Sequence, residues 1–139
     1  MVGFIFMRFS TRATYGLRAI INLAKHFNEP NLALSAIAKE ETISLKYLER
    51  LFASLKKARL VKSVKGAGGG YRLVKLANQI TVYEIINALE GKKSLFHCLD
   101  KLGKVYCKKN CVCSANIALI KVQELIIKTL KNIKLSKLL

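Results

Sequence analysis

The stretch Ile43–Leu73, ISLKYLERLFASLKKARLVKSVKGAGGGYRL, decides the fold. It predicts one helix, a short strand, a glycine-rich hairpin and a second strand. In the helix, apolar residues at helical spacing define a single buried stripe, formed by Leu45, Leu48, Phe52 and Leu55. At about 100° per residue, Lys46, Arg50 and Lys57 fall on the opposite side. The helix therefore buries one face and presents a cationic one.

A shorter helix is expected directly before this one. Ser35–Glu41 predicts that helix, which Thr42 and Ile43 end, and Ser44 stands where the following helix needs an N-cap. Two short helices, of which the second exposes a cationic face, outline a helix-turn-helix.

The segment after the helix reads as a hairpin. Leu60–Val64 and Tyr71–Val74 are strand-like, and the glycine-rich run Gly66–Gly70 lies between them. Glycine adopts positive φ angles and allows another surface to approach closely. Lys65 and Arg72 flank this tip. A helix-turn-helix followed by such a hairpin predicts a winged helix, with one element for a groove and one for the flanking backbone.

Five strings, in this order along the chain, carry a resemblance to a known family: Met7–Arg12, Tyr15–Ala19, Ile43–Glu49, Val64–Tyr71 and Ile80–Ile86. On these strings the chain resembles the IscR/NsrR family of bacterial winged-helix transcriptional regulators. Its end, Asn132–Leu138, resembles the last helix and tail of that family. The resemblance implies a homodimer that binds specific sequences of double-stranded DNA.

Composition is consistent with that expectation. The 139 residues carry 25 Lys and Arg against 8 Asp and Glu, a net charge of +17, which favours a polyanionic partner. Nucleic acid fits best, and an acidic membrane surface is second. No nucleophile motif accompanies the two histidines, so an enzyme is the least expected class. Neither a signal peptide nor a run of ~20 apolar residues is present, and we expect a cytoplasmic protein without a membrane partner.

The expected fold is mainly α with a small β wing. We divide the chain into a winged-helix DNA-binding domain (1–91), a cysteine-rich sensor loop (92–113), and a dimerisation helix with its tail (114–139). Further elements are expected as follows: a first helix within Ser10–Asn28 that buries Leu17, Ile20, Ile21, Ala24 and Phe27, a short strand at Leu32–Leu34, a helix from the capping box Thr81–Glu84 to Gly91, and a long amphipathic helix at Ala115–Leu130.

Roles in DNA binding follow from positions in the motif and from the resemblance. Lys46, Tyr47 and Arg50 lie early on the reading helix, where side chains meet base edges. Residues expected to hold phosphates are Ser44, Lys57, Lys65 and Arg72, with Arg8 and Arg12 at the start of the first helix. Glu49 matches a residue that family members use in readout, although its position also suits a surface carboxylate. Tyr47 equally suits intramolecular packing.

Four cysteines lie close together between the last two helices: Cys98, Cys107, Cys111 and Cys113. Their spacing lacks the paired C-x2-C knuckles of zinc sites, so an iron–sulfur cluster is the better match. The resemblance implies that Cys98, Cys107 and Cys113 are ligands of a 2Fe–2S or 4Fe–4S cluster. Asn116 and Thr14 stand where relatives supply a fourth ligand, which leaves Cys111 as the best candidate, ahead of His97.

Rival functions stay open at this point. The cysteines also suit a thiol switch without metal or, less well, a zinc site. A cofactor-free repressor of the same family is the nearest rival. A basic RNA-binding protein is further away, because the chain lacks the aromatic platform on which such modules stack bases.

Overall fold

Helices dominate the described part of the chain, and a β-hairpin lies between the third and fourth of them. The computed structural model describes residues 9–91, 96, 99, 104 and 113–139. Within these residues the elements are α1 (Thr11–Lys25), α2 (Leu34–Glu41), α3 (Leu45–Lys57), β1 (Val61–Val64), β2 (Gly70–Leu73), α4 (Val82–Glu90) and α5 (Ser114–Asn132). Short 3-10 turns at Ala77–Gln79 and Leu135–Leu138 precede α4 and follow α5. The predicted fold, mainly α with a small β wing, is confirmed.

Helix α3 supplies the centre of the core. Leu48, Phe52 and Leu55 are fully buried as predicted. Leu45 was expected beside them, but it is 43% exposed, because it is the first residue of α3 and lies at the margin of the apolar stripe. Leu51 is buried in that stripe instead. The core also takes side chains from α1 and α4, and Leu135 from the tail.

Helix α1 lies against α4. The Ser10 side chain caps α1 by accepting from the Ala13 N–H, and its hydroxyl donates to the Glu90 carboxylate at the end of α4. Phe27 was expected in the buried stripe of this helix but is 74% exposed. The helix ends at Lys25, so the chain turns away before Phe27 reaches the core.

The wing is an antiparallel pair in which Val61 lies opposite Leu73 and Val64 opposite Gly70. Leu32 joins it through one bridge, since Leu32 and Tyr71 exchange N–H···O bonds of 2.9 and 2.8 Å. The strand predicted at Leu32–Leu34 is thus a single bridge, because α2 already begins at Leu34. A Cβ on Gly70 would stand 2.5 Å from the Leu32 carbonyl oxygen, so only glycine fits there.

Both ends of α4 are formed as predicted. Thr81 and Glu84 make the reciprocal capping box, and Gly91 forms the C-cap. Burial raises the pKa of Glu84, but hydrogen bonds from the Thr81 N–H and hydroxyl, together with Lys75, more than offset burial and leave that pKa below its usual value. Helix α5 exceeds the predicted bounds by one residue at its start and two at its end.

The turn from α3 into the wing holds a non-glycine residue in the left-handed region. Arg59 has φ +59°, and its N–H donates to the Lys56 carbonyl at 2.9 Å. The Leu60 N–H donates to the Leu55 carbonyl at 3.0 Å. This pattern ends helices most readily with glycine, because a side chain crowds the backbone at positive φ.

Replacing Arg59 with glycine should therefore stabilise the protein by about 1 kcal/mol, since it removes the strain of a left-handed side chain. Ala58 provides the control, because it precedes Arg59 with an ordinary φ of −79°. Ala58→Gly should destabilise by about 0.5–1 kcal/mol through added freedom of the unfolded chain. Urea midpoints of both variants measure the difference; equal shifts in one direction would contradict the strain.

Candidate nucleic-acid interface

The outward side of α3 is polar and mostly cationic. Lys46, Glu49, Arg50 and Lys57 are all exposed, and none of them has an ion-pair partner among the residues that the structure describes. Ser44 is the N-cap of α3, as predicted, and its hydroxyl accepts from the Tyr47 N–H at 3.4 Å. The first turn of α3 therefore offers a positive helix end together with free cations.

Tyr47 has a packing role. Its ring is half-buried against the core and meets the Tyr15 ring edge-on, with centroids 6.1 Å apart. The packing interpretation of Tyr47 therefore has a physical basis, while its contact with bases stays a prediction.

The wing presents a second cationic surface beside α3. Lys65 and Arg72 are exposed as expected, and the strand register places Lys62 directly opposite Arg72. Like charges opposite one another on a strand pair are destabilising, and no acidic group of the described residues offsets them. An anionic partner on this face would remove that repulsion.

Lys62 was not predicted as a DNA-binding residue, although the sequence contains a signal for its position. A hairpin that is symmetric about Ala67 pairs residues whose numbers are equally far from 67, and Lys62 then faces Arg72. The period-two alternation of Val61–Val64 also points Lys62 away from the core side, where Val61 is buried.

Side-chain bonds hold the wing to the rest of the molecule. The Lys56 ammonium donates to the Ser63 hydroxyl at 2.6 Å and joins the end of α3 to β1. The Asn31 amide donates to the Gly68 carbonyl at 3.3 Å and joins the α1–α2 connection to the wing tip. The reading helix and the wing are thus fixed relative to each other, which a rigid contact with a regular duplex requires.

Not every cation near this surface is available. Lys75 pairs with Glu84 at 3.4 Å, and Arg18 pairs with Glu41 at 3.0 Å. Arg12 is exposed at the start of α1, and Arg8 lies outside the described residues. The Arg18–Glu41 pair is not predictable from periodicity, because its partners are 23 residues apart in the chain.

Of the candidate cluster ligands, Cys113 alone falls within the described residues. It is the N-cap of α5, half-buried, and its thiol makes no capping bond with the helix. An anionic ligand is favoured at a helix N-terminus, so a thiolate there fits an iron or zinc ion. Cys98, Cys107, Cys111 and His97 lie outside the described residues. No three His, Cys, Asp or Glu residues come together in the part of the chain that is described.

Along residues 9–91 and 113–139, no helix combines the length and the apolar character needed to cross a bilayer.

Relatives of this chain are regulators of transcription. IscR of Erwinia tasmaniensis is 36% identical over 132 residues, which are 95% of this chain and 78% of the relative. IscR of Pectobacterium carotovorum is 39% identical over 97 residues, which are 70% of this chain and 59% of the relative. The aligned part of the chain thus spans about three fifths of that relative's length.

Solved structures of the same class superpose on most of the chain. IscR of T. potens has a TM-score of 0.79 and 36% identity, and the match covers 96% of this chain and 87% of that one. CymR, described as the global cysteine regulator of B. subtilis, has a TM-score of 0.79 and 32% identity over 96% of both chains. The Rrf2 family, described as iron-dependent transcriptional regulators, matches residues 9–139. Both the helical order with its wing and these similarities lead to one conclusion: the chain belongs to the Rrf2 family of transcriptional regulators.

Proposed function

We propose that this protein is a homodimeric, sequence-specific DNA-binding regulator of transcription, cytoplasmic, which senses iron, redox or nitric-oxide status through an iron–sulfur cluster. The single observation that carries the DNA-binding part is the juxtaposition of two cationic surfaces whose charges have no ion-pair partner among the described residues. One is the outward face of α3, and the other is the Lys62–Arg72 pair of the wing. Lys46 and Arg50 read base edges in the major groove, and the wing cations hold phosphates.

The proposal of a homodimer rests on an inversion of polarity along α5. Asn116 and Gln123 are its most buried residues, at 8% and 3% exposure, whereas Ile117 and Leu125 are 69% and 55% exposed. Ile117, Val122 and Leu125 form a stripe of exposed apolar residues within an arc of about 140° around the helix axis, at 100° per residue, and Lys121 and Lys128 lie within the same arc. A second α5 covering this stripe would bury what one chain leaves in water. Two reading helices would then enter successive major grooves of a partly palindromic site.

Sensing is assigned to the cysteine-rich loop. Cys98, Cys107 and Cys113 would hold the cluster, with Cys111 as the fourth ligand. Thiolates are the ligands that iron–sulfur clusters take, and the uncommitted Cys113 thiol at the start of α5 suits that role. The cluster, when bound, would supply redox chemistry or a site for a ligand. Because Cys113 directly precedes α5, gain or loss of the cluster would act on α5 and thus on the spacing of the two α3 helices of the dimer.

A second candidate is a regulator of the same fold that works without a cluster, with its cysteines as a thiol switch. The chain superposes equally well on IscR and on CymR, with a TM-score of 0.79 for each, so the fold alone does not favour the cluster over this candidate. Iron and acid-labile sulfide assays on protein purified without air discriminate the two.

Replacing Arg50 with alanine should cost roughly 1–3 kcal/mol on a preferred duplex and blur the preference for it, because a base contact is lost. Lys65→Ala should weaken binding to all duplexes evenly and lower the salt slope by about 1, because a phosphate contact is lost. Fluorescence anisotropy against salt, on a duplex selected from a random library and on a scrambled one, measures both. Identical behaviour of the two variants would contradict the division of roles.

Replacing Leu125 with glutamate should convert the dimer to monomer and abolish cooperative binding to a two-site duplex, since a charge then enters the shared apolar stripe. Phe27→Glu is the matched control, because Phe27 is equally apolar and 74% exposed but lies far from α5 in the sequence. Sedimentation equilibrium measures the mass of each variant. A dimer that survives Leu125→Glu would rule out pairing through α5.

Replacing Cys111 with alanine should shorten the lifetime of the cluster in air, because one of its four sulfur ligands is removed. Visible absorbance, with iron and sulfide contents beside it, follows the loss. Unchanged content and lifetime would show that Cys111 is not a ligand.

A further inference from the structure

One face of α1 grips the corner between α2 and α3. Tyr15, Arg18 and Asn22 lie three and four residues apart, so their side chains project from the same side of the helix. Arg18 and Asn22 contact Glu41 at the end of α2, and Tyr15 contacts Tyr47 in the first turn of α3. We call Tyr15, Arg18, Asn22 and Glu41 the corner clamp.

Glu41 is the centre of the corner clamp. Arg18 donates from Nε to the Glu41 carboxylate at 3.1 Å and from Nη2 to the Glu41 main-chain carbonyl at 2.7 Å. Asn22, 2% exposed, donates to the other carboxylate oxygen at 3.0 Å. Both carboxylate oxygens and the carbonyl of Glu41 are therefore held by α1.

The charge of Glu41 is unfavourable for its own helix. Glu41 is the last residue of α2, where the helix dipole disfavours an anion. Arg18 offsets this charge and also satisfies a carbonyl that has no partner within the helix. The carboxylate at this position thus serves the connection between helices and not the stability of α2 alone.

A second branch of the corner clamp connects Arg18 to α3 through the Tyr15 ring. The Arg18 guanidinium lies over the Tyr15 ring, 5.6 Å from its centroid, and Tyr15 meets Tyr47 in the first turn of α3. Arg18 thereby contacts Glu41 directly and the first turn of α3 through Tyr15.

The connection between the two helices has little slack. Thr42 adopts a left-handed conformation with φ +56°, Ile43 is buried, and Ser44 caps α3. Only these three residues separate Glu41 from Leu45. Where Glu41 is held therefore determines where α3 begins and how it is inclined.

We propose that Glu41 is a positioning residue for DNA readout: held by Arg18 and Asn22, it fixes the inclination of α3 and so governs discrimination between sequences more than affinity for DNA in general. This inference rests on the proposed function. Arg18 is not assigned to a phosphate, because Glu41 neutralises its charge at 3.0 Å.

Two variants of Glu41 separate positioning from charge. Glu41→Ala and Glu41→Gln remove the same negative charge, which by simple electrostatics tightens binding to any DNA. The glutamine, however, still accepts from Arg18, and it donates to the Asn22 Oδ1 atom once the Asn22 amide turns over. That turn breaks no other hydrogen bond, because Oδ1 has no partner among the described residues. Glu40→Ala is the matched control, because Glu40 is exposed and precedes Glu41 on α2.

The measured quantity is the ratio of affinities of the full-length protein for a duplex that it enriches from a randomised library and for a scrambled duplex of equal length. Glu41→Ala should lower this ratio about tenfold, the loss that one misplaced base contact produces. Glu41→Gln should keep most of the ratio, and Glu40→Ala should leave it unchanged. Equal ratios in Glu41→Ala and the wild type, or equal losses in the two Glu41 variants, would overturn the proposal.

Arg18→Lys keeps the experiment decisive if Glu41→Ala does not fold. Lysine retains the positive charge but lacks the planar fork whose two nitrogens bond the carboxylate and the carbonyl separately. A lower ratio with an unchanged salt slope supports positioning, whereas an unchanged ratio overturns it. Arg50→Ala is run alongside, because an unchanged ratio in that variant would reject base readout by α3 itself and not the clamp.

Discussion

The structure depends on the burial of one face of α3. Leu48, Leu51, Phe52 and Leu55 are removed from water, and each buried side chain of this size contributes roughly 1.5–3 kcal/mol. Exposed ion pairs contribute only about 0.2–1 kcal/mol each, so apolar burial supplies most of the free energy that holds α3, and the contacts of Glu41 set only its inclination within that packing. Because packing buries one side of α3, the opposite side is exposed to solvent, and that side carries the cations.

The same burial joins the wing to α3. Phe52 of α3 meets Tyr71 of β2 with ring centroids 5.0 Å apart, and Tyr71 bonds to Leu32 before α2. Helix α3, the wing and the segment that leads into α2 are therefore all in contact with Phe52 or Tyr71. The Lys56–Ser63 bond adds a polar tie at the surface, but the aromatic contact sets the distance between α3 and the hairpin.

Periodicity in the sequence was sufficient for the helices, the wing and the cationic face of α3, because each depends on local spacing. It failed where an outcome depends on distant neighbours. No element of the described residues covers Leu45, and Phe27 lies beyond the end of α1 at Lys25, so both are exposed. Lys62 becomes significant only through its cross-strand neighbour, and Glu41 only through Arg18 and Asn22. Such pairings are set by how elements pack, which the spacing within one element does not encode.

The Lys62–Arg72 pair has a consequence for how ionic strength acts on this protein. In the free chain the two cations repel across the hairpin, and dissolved salt relieves that repulsion by screening it. In a complex with a polyanion the same salt displaces the protein by weakening counterion release. Concentrated salt thus stabilises the free wing and weakens the complex through the same two side chains. Both effects favour the free protein, so the binding equilibrium depends more steeply on salt concentration.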